Sequence, residues 1–154
     1  MIITVDSREQ NPLDFKGIEG VEKVEVAGLA FADYSVIIGG KVLPIVWERK
    51  GLQDLFGTLT AGHDRFKREL ERAKKAEFKI ILMVEGTYTD VWNGCEYSQT
   101  DGPTLIKIMN TMYVKYDLEF KFCESRRVMA RQIVDLASAV ERSYSPLKQD
   151  GVGA

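Results

Sequence analysis

Between Ile45 and Leu55 the chain reads I-V-W-E-R-K-G-L-Q-D-L. An apolar run ends in three charges and then changes from period 2 to helical period, which predicts a buried strand running into a helix. The flanking pattern extends this in both directions. Ile2 to Val5 is a β-rich run closed by Asp6-Ser7-Arg8-Glu9, and Gly20 to Ala27 alternates as a half-exposed strand does. Tyr34 to Ile38 and Val42 to Arg49 flank Gly39-Gly40-Lys41 and read as a hairpin, with Pro44 calling for an edge position or a bulge. Leu52, Leu55, Phe56 and Leu59 recur at helical spacing, and Asp64 is placed to cap a second helix reaching about Ala76. Phe78 to Val84 is apolar throughout, as a central strand covered on both faces is. Thr87 to Asp101 shows no period and reads as a loop, in which Trp92 and Tyr97 pin the chain to the core or stack on bases. Pro103 opens a helix with an apolar stripe of Leu105, Ile106, Met109, Met112 and Tyr113, Leu118 to Phe122 forms a further strand, and Ser125 to Tyr144 a last helix. About six strands and about four helices, mostly alternating after the hairpin, predict an α/β fold with a central mixed sheet flanked by helices. One domain over 1–144 is expected, with 145–154 a frayed tail.

Composition narrows the class without identifying it. The 154 residues are 45% hydrophobic and 29% charged, enough for one domain with a real core. A formal net charge of -2 does not advertise a polyanion binder, so any basic surface must be local. Cys95 and Cys123 lack metal-ligand spacing, and with a single histidine, His63, a zinc site is not expected. His63 itself reads as an exposed loop residue rather than a general base. The N-terminus carries charge within its first residues and no apolar run reaches the length of a membrane span, so an intracellular, soluble protein with no membrane partner is expected.

The charges change that picture. Alternation puts Val46, Glu48 and Lys50 on one face of their strand and Ile45, Trp47 and Arg49 on the other. A carboxylate beside an ammonium at the end of an apolar strand is costly to bury, and an edge-strand ion pair is the plain explanation for it. Other charged clusters end neighbouring elements: Asp6 to Glu9, Asp33 before the hairpin, and Asp54 one turn into the following helix. If the strands are neighbours, Asp33 and Glu48 can share one divalent cation, since Mg²⁺ takes hard oxygen ligands and keeps several waters. Lys50 then reaches the attacking water or the phosphate, an arrangement suited to phosphodiester hydrolysis. Arg65 to Lys75 supplies Arg65, Lys67, Arg68, Arg72, Lys74 and Lys75 against Glu69 and Glu71, a basic segment in an acidic chain.

Taken together, V-D-S-R-E at 5 to 9, A-D-Y at 32 to 34, W-E-R-K-G-L-Q-D at 47 to 54 and G-H-D-R-F at 62 to 66 resemble the XPF/Hef family of structure-specific DNA endonucleases, whose signature is G-D-x(n)-E-R-K-x3-D. The resemblance implies a restriction-endonuclease-like core, Mg²⁺ with Mn²⁺ able to substitute, and cleavage of branched DNA such as flaps, forks or nicked junctions in repair or recombination. It implies Asp33 and Glu48 as metal ligands, with the Arg49 carbonyl as a third, and Lys50 as the catalytic lysine. Arg49 and Asp54 complete the motif. Asp6, Arg8 and Glu9 match an upstream acidic motif similar to a second part of the active site. Arg65 matches a phosphate-holding basic position, and Arg8, Arg49, Lys67 and Arg68 are expected with it to bind substrate. The family also implies pairing, as a homodimer or with a DNA-binding partner, through the Met109 and Met112 stripe or the last helix. A non-catalytic nuclease-like module and a junction resolvase or phage recombination nuclease are the alternatives. Ala32 stands where the family has Gly, a change without consequence unless that backbone needs a positive φ.

Overall fold

The alternation in the central strand, Ile81 and Met83 against Ile80, Leu82 and Val84, feeds two separate cores, one on each face of a single sheet. In a computed structural model describing residues 1–144, the elements run β1 (Ile2–Asp6), β2 (Lys23–Ala27), β3 (Tyr34–Ile38), β4 (Lys41–Val42), β5 (Ile45–Gly51), α1 (Leu52–Leu59), α2 (His63–Lys75), β6 (Lys79–Glu85), α3 (Tyr88–Asn93), α4 (Gly102–Tyr116), β7 (Glu119–Cys123) and α5 (Arg126–Tyr144). The sheet order is β2-β1-β3-β5-β6-β7, with β4 hydrogen-bonded to β3 off this path. The sheet is mixed as expected: β1 and β5 are antiparallel to β3, while β5, β6 and β7 are parallel and joined by helical crossovers.

On one face α5 covers Ile3, Tyr34, Trp47, Ile81 and Met83 with Met129, Ile133 and Ala137. On the other, α1, α2 and α4 cover Val46, Ile80, Leu82 and Val84 with Leu55, Phe66, Leu105 and Met112. Trp47 is fully buried, as the strand parity requires, and Met109 and Met112 are core residues that offer no free surface for pairing. Among the described residues no helix is long and apolar enough to cross a membrane.

Several expectations are corrected. Pro44 lacks the N–H needed to continue the ladder and splits the second hairpin strand into β4 and β5, giving seven strands. Asp64 is not the cap of α2. Gly62 occupies that position without a side-chain bond, because the link from α1 is so tight that a Cβ there would lie 3.3 Å from the Gly57 and Thr58 carbonyl oxygens. His63 is therefore in the helix and half-buried, its ring Nδ1 3.1 Å from the Leu59 carbonyl. The 87–101 stretch is not all loop: Thr87 and Asp90 cap α3 reciprocally, each side chain accepting from the other's backbone N–H at 3.1 and 2.8 Å. Trp92 is not pinned in the core, being 51% exposed, and Tyr113 leaves the α4 stripe at 54% exposed. The segment 145–154, expected as a frayed tail, lies outside the described residues.

Candidate active site

The site forms where β5 runs out of the sheet into α1. Arg49 faces the α5 side with Trp47, and Glu48 and Lys50 face the side covered by α1 and α2. There they line a cavity of about 610 Å³ with Gln53 and Asp54 of α1 and Arg65 and Glu69 of α2. Lys50 Nζ stands 3.6 Å from Glu48 Oε1.

Asp33 reaches this end of β5 by extending the β3–β5 pairing beyond the last strand pair. Its N–H donates to the Trp47 carbonyl at 2.9 Å and its Oδ2 accepts from the Arg49 N–H at 2.8 Å. Burial and then the Asp33 carboxylate push the Glu48 carboxyl up to about 8, against the pull of Lys50. Burial also raises Asp33, the Arg49 N–H and the cations of Lys50 and Arg49 opposing it while Glu9 adds to it. Both carboxyls are thus disfavoured as anions first by burial, and for Glu48 by the neighbouring Asp33 as well. Among the described residues no group of three or more acidic, histidine or cysteine side chains could hold a metal. A pair of hard oxygen donors under mutual repulsion fits a cation that keeps most of its waters, as Mg²⁺ does.

The upstream acidic residues divide between two jobs. Asp6 Oδ1 accepts from the Leu29 N–H at 3.0 Å, and Arg8 bonds Asp6 Oδ2 at 2.8 Å and the Leu29 carbonyl at 2.8 Å. This fastens the chain leaving β2 to the end of β1. Burial raises the Asp6 carboxyl, but the Leu29 N–H and Arg8 outweigh it and hold the group below its ordinary range. Arg8 lies at the rim, its cation within electrostatic reach of Asp33 and Glu69. Glu9 works from the Arg49 face: its two oxygens take the Arg49 guanidinium at 2.8 and 3.1 Å, and the Tyr34 hydroxyl donates to it at 3.4 Å. Tyr34 is also tied to the Leu13 N–H at 2.9 Å, and burial pushes its hydroxyl up to about 12.

On α2 the basic residues separate by helical phase. Arg65 lines both the cavity and an adjoining groove of about 600 Å³ with Arg68, Arg72 and Lys75. Lys67 turns instead toward α4, its Nζ 6.0 Å from the centre of the Tyr116 ring. Sequence reasoning passed over Glu69, treating it as countercharge, and Gln53. The signal for Glu69 was its spacing of one helical turn from Arg65, which puts both on the cavity face. Glu69 Oε1 also accepts from the Ala32 N–H at 3.4 Å. Ala32 has φ of 61°, the left-handed region in which a side chain costs about 1–2 kcal/mol. The family's glycine thus sits where the backbone favours one, and this chain holds a methyl there instead.

Among curated proteins none matches the chain. Among solved structures its fold is similar to XPF from Aeropyrum pernix, with a TM-score of 0.67 and 21% identity over 96% of this chain and 68% of that one. It is equally similar to XPF from Aeropyrum pernix in complex with DNA, with a TM-score of 0.69 and 21% identity over 92% and 66%. This chain spans about two thirds of the length of those proteins. The ERCC4 domain model matches residues 5–136, which takes in every element from the end of β1 into α5, and the chain accordingly belongs to the ERCC4 domain family, as an XPF-type nuclease domain.

Proposed function

We propose that this chain is a divalent-metal-dependent endonuclease that hydrolyses phosphodiester bonds in branched DNA such as flaps, forks and nicked junctions. The observation that carries the reading is the pair of desolvated carboxylates at the end of β5, Asp33 bonded to the Arg49 N–H and Glu48 within its field, with Lys50 3.6 Å from Glu48 and Arg65 lining the same cavity as Glu48 and Lys50. Asp33 and Glu48 would hold Mg²⁺ or Mn²⁺, with the Arg49 carbonyl as a further ligand. A cation held there would supply Lewis-acid polarisation of the phosphoryl group and lower the pKa of bound water.

The chain's own groups do the remainder. Lys50 and Arg65 approach the phosphate from opposite walls of the cavity and neutralise the charge that grows on its oxygens. Arg49 fixes the position of Asp33 through its N–H, while its guanidinium is occupied by Glu9 and so acts through the scaffold rather than on substrate. Asp54, in the first turn of α1, adds a carboxylate at the cavity wall able to hold a water by hydrogen bonding. Asp6 and Arg8 hold the neighbouring segment at the rim.

Labelled flap, fork and blunt duplex DNA with Mg²⁺ are the test. Wild-type protein is expected to cut the branched substrates and Lys50→Ala to lose at least about a hundredfold in rate, the range of removing one preorganised electrostatic group. Equal cleavage by both proteins, or none by either, removes the proposal.

A further inference from the structure

The catalytic cavity opens at two ends of different chemistry. Through Arg65 it continues into the groove with Arg68, Arg72 and Lys75, where four cations stand against one carboxylate, Glu71. Across α1 it shares Gln53 and Gly57 with a cleft of about 400 Å³ lined also by Tyr97, Ser98, Gln99 and Thr100. The same loop borders a further cleft beneath Trp92. Neither of these two clefts has a lysine or arginine in its lining among the described residues, and the outer one carries Glu96 and Asp101.

That polarity discriminates between the arms of a branched nucleic acid. Duplex DNA presents about one negative charge per 1.7 Å of axis and needs cations along its path, which the α2 groove offers and the lining of the two clefts, among the described residues, does not. A neutral base needs an aromatic face, and the other side exposes two: Tyr97 is 76% exposed and Trp92 51% exposed. Trp92 is held ready by its stack on Tyr88, with ring centroids 6.5 Å apart and planes at 23°, on a helix fixed by the Thr87–Asp90 cap. Gln53, Ser98, Gln99 and Thr100 supply donors and acceptors of no net charge for base edges and sugars.

We propose that the clefts beyond α1 receive the unpaired strand of the substrate, with Tyr97 stacking on the first unpaired base and Trp92 on a later one, while the duplex arm lies along the arginine groove of α2. The inference rests on the nuclease reading above and assigns its substrate a direction. The experiment is a binding titration without divalent metal, using blunt duplex and a fork carrying 2-aminopurine at the first unpaired position. Wild type is expected to prefer the fork and to quench the fluorophore. Tyr97→Ala is expected to lose about tenfold in fork affinity, the loss of one stacked base, and the quench, with duplex affinity unchanged; Tyr97→Phe keeps both. Arg72→Ala is expected to weaken fork and duplex alike and to flatten the salt dependence.

Unchanged fork preference and quench in Tyr97→Ala overturn the inference, as does an Arg72→Ala loss confined to the fork. A wild type that binds fork and duplex equally overturns it while leaving the nuclease reading in place. A wild type that binds neither removes both.

Discussion

Glu9, expected in the candidate site, is bonded to Arg49 of the strand that carries Glu48 and Lys50, and a structural and a catalytic role predict different losses. Its side chain is 7% exposed and that of Arg49 18% exposed, and the pair is bidentate. Truncation to Ala leaves a part-buried guanidinium whose nearest other carboxylate is Glu85, 3.9 Å away and one third exposed. Removing the charged partner of such a pair costs about 1.5–3 kcal/mol, a sizeable part of the roughly 5–15 kcal/mol that holds a domain together. At about 2–4 °C per kcal/mol for a chain of this size, Glu9→Ala should melt about 3–12 °C below wild type. Arg49→Lys should show most of the same loss, because one ammonium cannot fill both oxygens of the fork.

The pH dependence gives an independent reading. Burial raises Glu9, but the Arg49 guanidinium and the Asn11 N–H outweigh it, so the folded carboxyl titrates below its ordinary value of 4.5. A depressed carboxylate contributes stability that is complete above the unfolded value and is lost as pH falls through the folded one. Urea unfolding of wild type and Glu9→Gln should therefore differ most near neutrality and converge in acid. The Glu9→Ala, Arg49→Ala double variant should destabilise less than the sum of the singles by at least about 1 kcal/mol, since the second truncation removes a charge already orphaned. A Glu9→Ala protein that unfolds at the wild-type urea midpoint refutes the structural assignment and returns Glu9 to the reaction itself.

Two further predictions concern the site and its surroundings. Glu48 carries a folded value of about 8 against 4.5 for a free carboxyl, so the native state binds more proton than the unfolded one between these limits and the metal-free protein should lose stability as pH rises from about 4.5 toward 8. A cation must displace that proton, so calorimetric Mn²⁺ affinity should rise up to about tenfold per pH unit from about pH 6 and level off near pH 8; Glu48→Gln should flatten both profiles, and a pH-independent wild type would falsify the assignment. A Cβ on Gly102 would clash with the carbonyl oxygens of Trp92 and Val91, so the backbone must shift. Gly102→Ala should cost about 1–3 kcal/mol or more by overpacking, whereas Gly57→Ala, with nothing within 4 Å of its Cβ, should match or exceed wild type in thermal melts.

Legibility in the sequence followed the strength of the period. β6 and α5 were readable because each shows one unbroken pattern, and the burial of Trp47 followed from parity alone. The short α3 was not, because six residues hold too little pattern to outweigh the turn-formers around them, although Thr87 and Asp90 carried its capping signal. Within the candidate site, Glu48, Lys50 and Arg65 were legible as residues to be brought together and they line one cavity, while Glu69 was hidden by its neighbours: in a run of charges, spacing from Arg65 mattered and the count did not. Glu9 could be found but not assigned, since a sequence does not say which face of a neighbouring strand a carboxylate will meet.

The same parity explains why the triplet tolerates no slip. Strand β3 meets β5 at a single register pair, Tyr34 with Trp47, and beyond it the ladder continues only through Asp33. The Asp33 backbone supplies one rung to the Trp47 carbonyl and its carboxylate takes the next from the Arg49 N–H, so the candidate ligand also fixes the register of β5 against β3, beside the pairing of Ile45 to Gly51 with Lys79 to Glu85 on β6. Shifting β5 by one residue would turn Arg49 into the cavity and Glu48 and Lys50 into the α5 core. The Glu9–Arg49 clamp opposes that shift from the α5 face and Asp33 from the strand end. The Glu9–Arg49 clamp and the placing of Glu48 in the candidate site thus depend on one registration, and variants that loosen the first should misplace the second without touching it.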